Sequence, residues 1–325
     1  MTRVAVDAMG GDHAPLEIVR GAVDAASSGL DVVLVGDRSQ IDPILDRFES
    51  SLPVVHAGEV IEMHEDPARA VRDKKDSSIM VAARLVKNGE ADSLVSAGST
   101  GAALAAAAFV IGRLPGVSRP AIASIFPTHE IVLDVGANLD VRPEHLVQFG
   151  VMGAALAEVF LDAAEPRVGL LNIGEEAGKG RELERAAHEL LAAAGGVNFV
   201  GNVEGRDLGR GRSDVFVTDG YTGNVLLKTG EGTSRALFRL LLEALQADEY
   251  QEALADLMPA FMKLRQAIDP ESIGGAHLVG TRGVVVIAHG ASSHRAVTNA
   301  VTLAAEGASH GLVGLISDGI GRAST

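Results

Sequence analysis

Short apolar runs, rich in β-branched residues, recur along the chain at residues 4–6, 32–35, 94–95, 121–126, 131–133, 168–171, 199–200, 215–217 and 284–287. They are too short and too continuous for helices and read as buried strands. Between most of them lie longer Ala/Leu-rich segments with helical spacing, such as residues 77–87, 143–161 and 181–193. The alternation predicts βαβ units: an α/β fold with a mostly parallel sheet and helices on both faces. Asp76 or Ser77 suits the cap of a helix that stops at Gly89, and Pro143 suits a first helical turn. No fixed-period repeat or low-complexity linker divides the chain, so residues 1–325 are expected to form one unit of two interwoven lobes sharing a cleft.

Residues 222–269 read as nearly continuous helix, interrupted at Met258-Pro259-Ala260. Proline lacks the N–H and disfavours helix just before it, which predicts a turn or kink near Pro259 within a helical hairpin over residues 223–269. Leu254, Leu257, Met258, Phe261, Met262 and Leu264 would make its tip apolar. Such a tip suits a packed or dimer-forming helix pair, or contact with a membrane surface.

Composition narrows the chemistry. Lys plus Arg number 28 against 43 Asp plus Glu, a net charge of −15, which argues against nucleic acid as a partner. Cys is 0, which removes disulfides, thiolate metal sites and cysteine nucleophiles. With 3% aromatics and no Trp, the core must be built from Ala, Val, Leu and Ile. No basic segment followed by an apolar one opens the chain, and the longest apolar stretch, residues 102–112, is well short of the ~20 residues that span a bilayer. The expectation is a soluble, cytoplasmic protein.

Ligands of parallel α/β sheets bind beyond the carboxyl ends of the strands. Seven apolar runs end in small, Gly-rich loops: DAMGGDHAP (7–15), SAGSTGA (96–102), DVGAN (134–138), NIGEEAGKG (172–180), GNVEGRD (201–207), TDGYTGN (218–224) and AHGASS (288–293). Glycine lets the backbone approach a ligand closely, and a helix start offers free N–H groups to an anion. SAGSTGA is the best single case. The seven loops are expected to converge on one anion-binding cleft, whose candidate phosphate and substrate contacts are Gly10, Gly11, Asp12, Ser99, Thr100, Gly101, Asn138, Asn202, Glu204, Thr222 and Gly223.

Standard cofactor motifs fail. Residues 174–180 are one residue short of a P-loop and lack its terminal Ser or Thr, and no strand leads into G-x-G-x-x-G. There is no H-E-x-x-H and no G-x-S-x-G elbow. Asp7, Asp12, Asp134 and Asp219 could hold a divalent ion, but strand-end acids more often cap the following loop. Neither metal nor cofactor is expected. Lys179, between glycines, could neutralise phosphate or an oxyanion; His289 could exchange a proton near neutral pH; Asn224, like Asn138 and Asn202, could polarise a carbonyl. Each also has a plain structural reading as surface lysine, backbone-bonded histidine or turn asparagine.

Together with LDVGANLD and PEHL, GLLNIGEEAGKG, TDGYTGNVLLKTGEG and GGAHLVGTRGVVVIAHGASS, these loops resemble the phosphate acyltransferase family of bacterial phospholipid synthesis, from Val4 to about Leu303. The resemblance implies that acyl-[acyl carrier protein] and inorganic phosphate give an acyl phosphate, which a membrane-bound glycerol-3-phosphate acyltransferase consumes. It also implies a fold similar to the isocitrate and isopropylmalate dehydrogenases, a homodimer, and peripheral membrane contact through Leu257, Met258, Phe261 and Met262. The lysine of the family's G-E-E-x-x-K-G string falls on Lys179. Ser99 stands where the family usually has Asn, and Val141 where it often has Cys. Phosphate held by Ser99, Thr100 and Lys179 would attack the thioester directly, without an enzyme nucleophile. An acidic carrier protein needs a local basic patch, for which Lys228, Arg235, Arg239, Lys263 and Arg265, or Arg206, Arg210 and Arg212, are candidates. A β-decarboxylating dehydrogenase and a non-catalytic binding protein of lipid synthesis are the alternatives.

Overall fold

A computed structural model describes residues 2–246 and 250–323. Among them, eleven strands form one sheet: β1 (Arg3–Asp7), β2 (Asp31–Gly36), β3 (Val54–His56), β4 (Ser93–Ser96), β5 (Ala121–Ile125), β6 (Ile131–Leu133), β7 (Arg167–Leu171), β8 (Asn198–Val203), β9 (Val215–Val217), β10 (Ala276–Val279) and β11 (Val284–Ile287). Their order is β3-β2-β1-β4-β11-β10-β5-β6-β9-β7-β8. All nine apolar runs lie in strands. The two strands without a clear pattern are β3, three residues long at the sheet edge, and β10, where His277 interrupts the apolar run.

Strand direction divides the sheet. β3, β2, β1, β4 and β11 are mutually parallel, as are β6, β9, β7 and β8. Between the two sets, β11–β10, β10–β5 and β5–β6 all pair antiparallel. Three reversals leave the second set running opposite to the first. The sheet is therefore mostly parallel within each lobe and inverted between them.

Alternation along the strands feeds two faces. On one, α1 (Leu16–Ser27), α2 (Arg38–Arg47) and α10 (His294–Ser309) cover the first lobe through residues such as Val4, Val6 and Leu34. The same face of the second lobe carries α6 (Pro143–Phe160), α7 (Glu182–Ala193) and α11 (Leu312–Ala323), packed on Leu133, Leu170 and Val217. On the other face, α3 (Pro67–Asp73), α4 (Ser78–Asn88) and α5 (Thr100–Ala106) bury Ala5, Leu94 and Val285. A π-helical turn, Ala107–Ile111, extends α5. The core is aliphatic, as composition required; Phe149 and Phe216 are its largest fully buried side chains. Gly89 ends α4 in the left-handed region at φ 74°, and Pro143 opens α6.

The helical segment forms α8 (Gly220–Ala244) and α9 (Gln251–Ile268). α8 passes the end of β5, where Gly230 meets Phe126. Its remaining 14 residues then run about 21 Å further at 1.5 Å per residue. The expected break at Pro259 is corrected: α9 continues through it. Pro259 and Ala255 are both exposed, so water can satisfy the Ala255 carbonyl that loses its helical donor. Leu257, Met258, Phe261 and Met262 accordingly lie within the unbroken α9 rather than at a turn. No helix among the described residues is long and apolar enough to cross a membrane.

Candidate active site

The carboxyl ends of β1, β4 and β11 define an upper rim, where three of the Gly-rich loops meet. Asp7, the last residue of β1, is 2% exposed and accepts from the Ser96 hydroxyl at 2.7 Å; Ser96 Oγ in turn accepts from Gly98 N at 3.1 Å. Burial pushes the Asp7 carboxyl above its usual range, against the opposing hydrogen bonds from Ser78, Ser96 and the backbone at Met9 and Gly10. A Cβ on Gly10 would stand 2.7 Å from Asp7 Oδ2 and 2.8 Å from Gly98 N, so only glycine lets the two loops touch. Gly11 has φ +120°, and Asp12 N donates to the Gly290 carbonyl at 2.7 Å, which ties in the third loop.

Ser99 caps α5, accepting from Ala102 N at 3.4 Å, and Thr100 is exposed beside it. Gly101 packs on Pro67, leaving no room for a Cβ. His289 is exposed, and its Nδ1 accepts from Ala291 N at 3.2 Å, which leaves Nε2 to carry the proton of the neutral ring. Gly10, Gly11, Asp12, Ser99, Thr100, Gly101 and His289 therefore form one group.

The remaining candidates gather on the opposite, lower rim, at the carboxyl ends of β6, β7, β8 and β9. Asp134, fully buried, is their organising residue. Its carboxylate accepts from the backbone of Ile122, Gly136, Ala137 and Asn138 and from Asn138 Nδ2, all at 2.6–3.1 Å. Burial raises its pKa although the hydrogen bonds from Ala137 N, the Asn138 side chain, Ile122 N and Gly136 N oppose the shift. The DVGAN string identified the loop, but only tertiary structure reveals that this one side chain holds it.

The two buried asparagines are bonded within the chain. Asn138 Nδ2 donates to Asp134 and to the Pro120 carbonyl, and Asn202 Nδ2 donates to the Glu176 carbonyl while its Oδ1 meets His188 Nδ1. Both are buried and hold loops in place. Asn224 is exposed and uses Nδ2 on the Val135 carbonyl at 3.1 Å, which leaves it a second N–H. Thr222 bonds Asp219 through both N and Oγ1. Glu204 pairs with Arg206. Arg181 bridges Glu184 and Asp219, joining the starts of α7 and α8. Burial works against ionised Asp219, but the Thr222 N–H, Arg181 and the Thr222 hydroxyl outweigh it and lower its pKa. Lys179 is half exposed, with Nζ 3.9 Å from Glu176.

The seven loops thus do not converge within one chain. β4 and β7 are six positions apart in the sheet, about 29 Å at ~4.8 Å per strand, and their loops leave by opposite rims. The Lys179 loop leans outward, with Glu176 bound by Asn202 and Glu175 by Arg206 and Arg212. Leu139, Ile173, Tyr221 and Val225 beside it are 67%, 82%, 65% and 51% exposed, an apolar rim left uncovered by the chain itself. The four aspartates considered for a metal divide likewise, Asp7 and Asp12 above, Asp134 and Asp219 below. Among the described residues no group of three His, Asp or Glu could hold an ion.

A family model described as "Fatty acid synthesis protein" matches residues 2–314. The chain is 47% identical over 326 residues to a phosphate acyltransferase of Desulforamulus reducens, covering 98% of each. In fold it is similar to a phosphotransacetylase from Streptococcus pyogenes, at TM-score 0.63 and 17% identity over 95% of this chain and 94% of that one. It is also similar to a 4-hydroxythreonine-4-phosphate dehydrogenase from Klebsiella pneumoniae, at TM-score 0.53 and 16% identity over 93% and 98%. The dehydrogenase-like architecture implied by the loop strings is present.

Proposed function

Because this chain belongs to the phosphate acyltransferase family of fatty acid synthesis proteins, we propose that it moves a fatty acyl group from acyl-[acyl carrier protein] to inorganic phosphate. The acyl phosphate formed would feed phospholipid synthesis through a membrane-bound glycerol-3-phosphate acyltransferase. The observation that carries the reading is the upper rim. There Gly10, Gly11 and Gly98 bring three backbone loops together beside the exposed Thr100 and His289, a surface suited to a small oxyanion.

Phosphate held at Ser99 and Thr100 would attack the thioester carbonyl carbon, forming the C–O bond. The tetrahedral intermediate then expels the carrier's thiolate, which takes up the proton lost by the attacking hydrogen phosphate, while His289 Nε2–H donates a hydrogen bond to the departing sulfur. Nothing in this sequence of steps needs an enzyme nucleophile, which agrees with a chain whose Cys count is 0.

Lys179 and Asn224 lie on the wrong rim to serve this phosphate in their own chain. A homodimer resolves the separation if the lower rim of one copy covers the upper rim of the other, bringing Lys179 to the phosphate and Asn224 to the oxyanion. The uncovered Leu139, Ile173, Tyr221 and Val225 support such pairing, as do Leu237, Leu240 and Leu241, exposed along α8. Exposed Leu257, Met262 and Leu264 on α9 support peripheral contact of this cytoplasmic enzyme with a membrane surface.

The reaction is tested by mixing the protein with palmitoyl-[acyl carrier protein] and phosphate and following thiol release with a chromogenic disulfide reagent, to which this chain contributes no background. Phosphate-dependent release with hydroxylamine-trappable acyl phosphate is expected. Lys179→Ala should lower turnover roughly ten-fold or more. Absence of release across several chain lengths would sink the reading.

A further inference from the structure

We propose that the acyl carrier protein docks on a basic depression formed by Lys87, Arg113 and Arg282 around Phe109, and that its prosthetic arm follows α5 from there to the Ser99 loop. The inference rests on the reading of the substrate as a carrier-protein thioester.

Charge comes first. A chain of net charge −15 repels an acidic carrier at long range, so a local field of opposite sign has to guide it. The basic clusters expected from sequence are largely neutralised by their own neighbours. Arg206, Arg210 and Arg212 are paired with Glu175, Glu204 and Asp207; Lys228 and Arg235 share Glu231; Arg239 holds Glu243. Lys263 and Arg265 on α9 have no carboxylate partner among the described residues, but Arg265 lines a hollow shared with Glu231, Glu243 and Asp269. Lys87, Arg113 and Arg282 line a depression that contains no acid. Among the described residues none of the three has a carboxylate partner: Arg113 donates to the Ser118 carbonyl and Arg282 to the Arg113 carbonyl. Glu90, the acid nearest Lys87 along the chain, receives the Asn88 amide instead.

Shape comes second. The three cations line an open depression of about 580 Å³ together with Gly112, Val117 and Phe109, whose ring is 71% exposed. An uncovered aromatic flanked by arginines is a composition typical of protein interfaces rather than of free surface.

Reach comes third. α5 starts at the Ser99 loop, and with its π turn it ends at Gly112, whose carbonyl accepts from Arg282 N just before β11 begins. From Thr100 to Gly112 the helix covers about 18 Å at 1.5 Å per residue, comparable with the reach of an extended phosphopantetheine arm. Ala102, Ala103, Ala106 and Ala107 are buried, whereas Gly101, Leu104, Ala105 and Ala108, three and four residues apart, remain half-buried. They form an uncharged stripe joining the depression to the phosphate loop, suited to a thin, neutral chain.

The test compares two donors carrying the same acyl group, acyl-[acyl carrier protein] and acyl-pantetheine, in wild type and in the Lys87→Glu/Arg113→Glu/Arg282→Glu variant. The expected result is a KM for the carrier-protein donor raised at least ten-fold and less sensitive to salt, with KM for phosphate and turnover of acyl-pantetheine unchanged. Lys87→Glu alone, at an exposed residue, should raise the carrier KM severalfold and guards against misfolding of the triple variant. Ala105→Trp, placed on the stripe, should lower turnover of both donors. An unchanged carrier KM in the triple variant, or equal losses with both donors, would overturn the docking surface. If wild type turned over neither donor, the functional reading itself would fall and the docking surface with it.

Discussion

The carbonyl oxygen of Asp134 stands 1.9 Å from where a Cβ on Gly223 would be placed, so the first turn of α8 can seat only with glycine there. Gly223→Ala should push α8 off the DVGAN loop and cost about 3 kcal/mol, the upper end of overpacking penalties. Gly232, on the same helix with nothing within 4 Å of where its Cβ would stand, is the control. Gly232→Ala should stabilise by about 0.5–1 kcal/mol through helix propensity. Urea unfolding of the two variants checks both signs.

Ser96 links Asp7 to Gly98 N through one hydroxyl. Ser96→Ala leaves a buried carboxyl oxygen and a backbone N–H without that partner, which should cost about 1–3 kcal/mol. The loop it holds is the one proposed to bind phosphate. The KM for phosphate should therefore rise several-fold while the KM for the acyl donor changes little, as steady-state kinetics with each substrate varied would show.

Two defective chains should repair each other if Lys179 acts across copies. Thr100→Asp places a carboxylate against the phosphate in the upper rim, and Lys179→Ala empties the lower one. Each alone should be poorly active. Refolded together in equal amounts, half the dimers are mixed and each regains one of its two sites, about a quarter of wild-type turnover under two-fold symmetry. No recovery in a mixture shown to exchange chains would place Lys179 outside the shared site.

His277 is buried on β10 against Phe160, at 4.8 Å between ring centroids, and neither ring nitrogen has a hydrogen-bond partner among the described residues. Burial pushes its pKa down to about 3. The unfolded chain, with a histidine near 6.5, binds more protons between those values, so stability must fall as pH falls through that window, by about 1.4 kcal/mol per unit. Asp7 and Asp134, whose pKa values are raised, act with the opposite sign above 3.8. Comparison with His277→Leu isolates the histidine: urea midpoints at pH 7.5 and pH 5 should converge for the variant and separate for wild type.

Periodicity located all nine strands that carry continuous apolar runs, because burial on both faces leaves a mark in composition. It missed β10, since a buried histidine looks polar in sequence, and β3, where His56 leaves only two apolar residues in the run. Pro259 misled in the other direction: a proline on a wet helix face costs one hydrogen bond that water restores, and nothing local records which face is wet. The Gly-rich loops were legible as ligand-type loops. Their grouping was not, because strand direction depends on which strands pair, and β10 meets β5 antiparallel across a long sequence separation. The roles of Asn138 and Asn202 were hidden for the same reason, their partners being Pro120 and Glu176.

The inversion between β11 and β6 also bears on how output responds to dilution. If Lys179 acts across copies as proposed, a lone chain carries two half-sites that cannot meet, and a pair carries two whole ones. Specific activity would then decline once the concentration drops below the dissociation constant of the pair, and the cell could tune acyl phosphate supply through the abundance of this chain more steeply than in proportion.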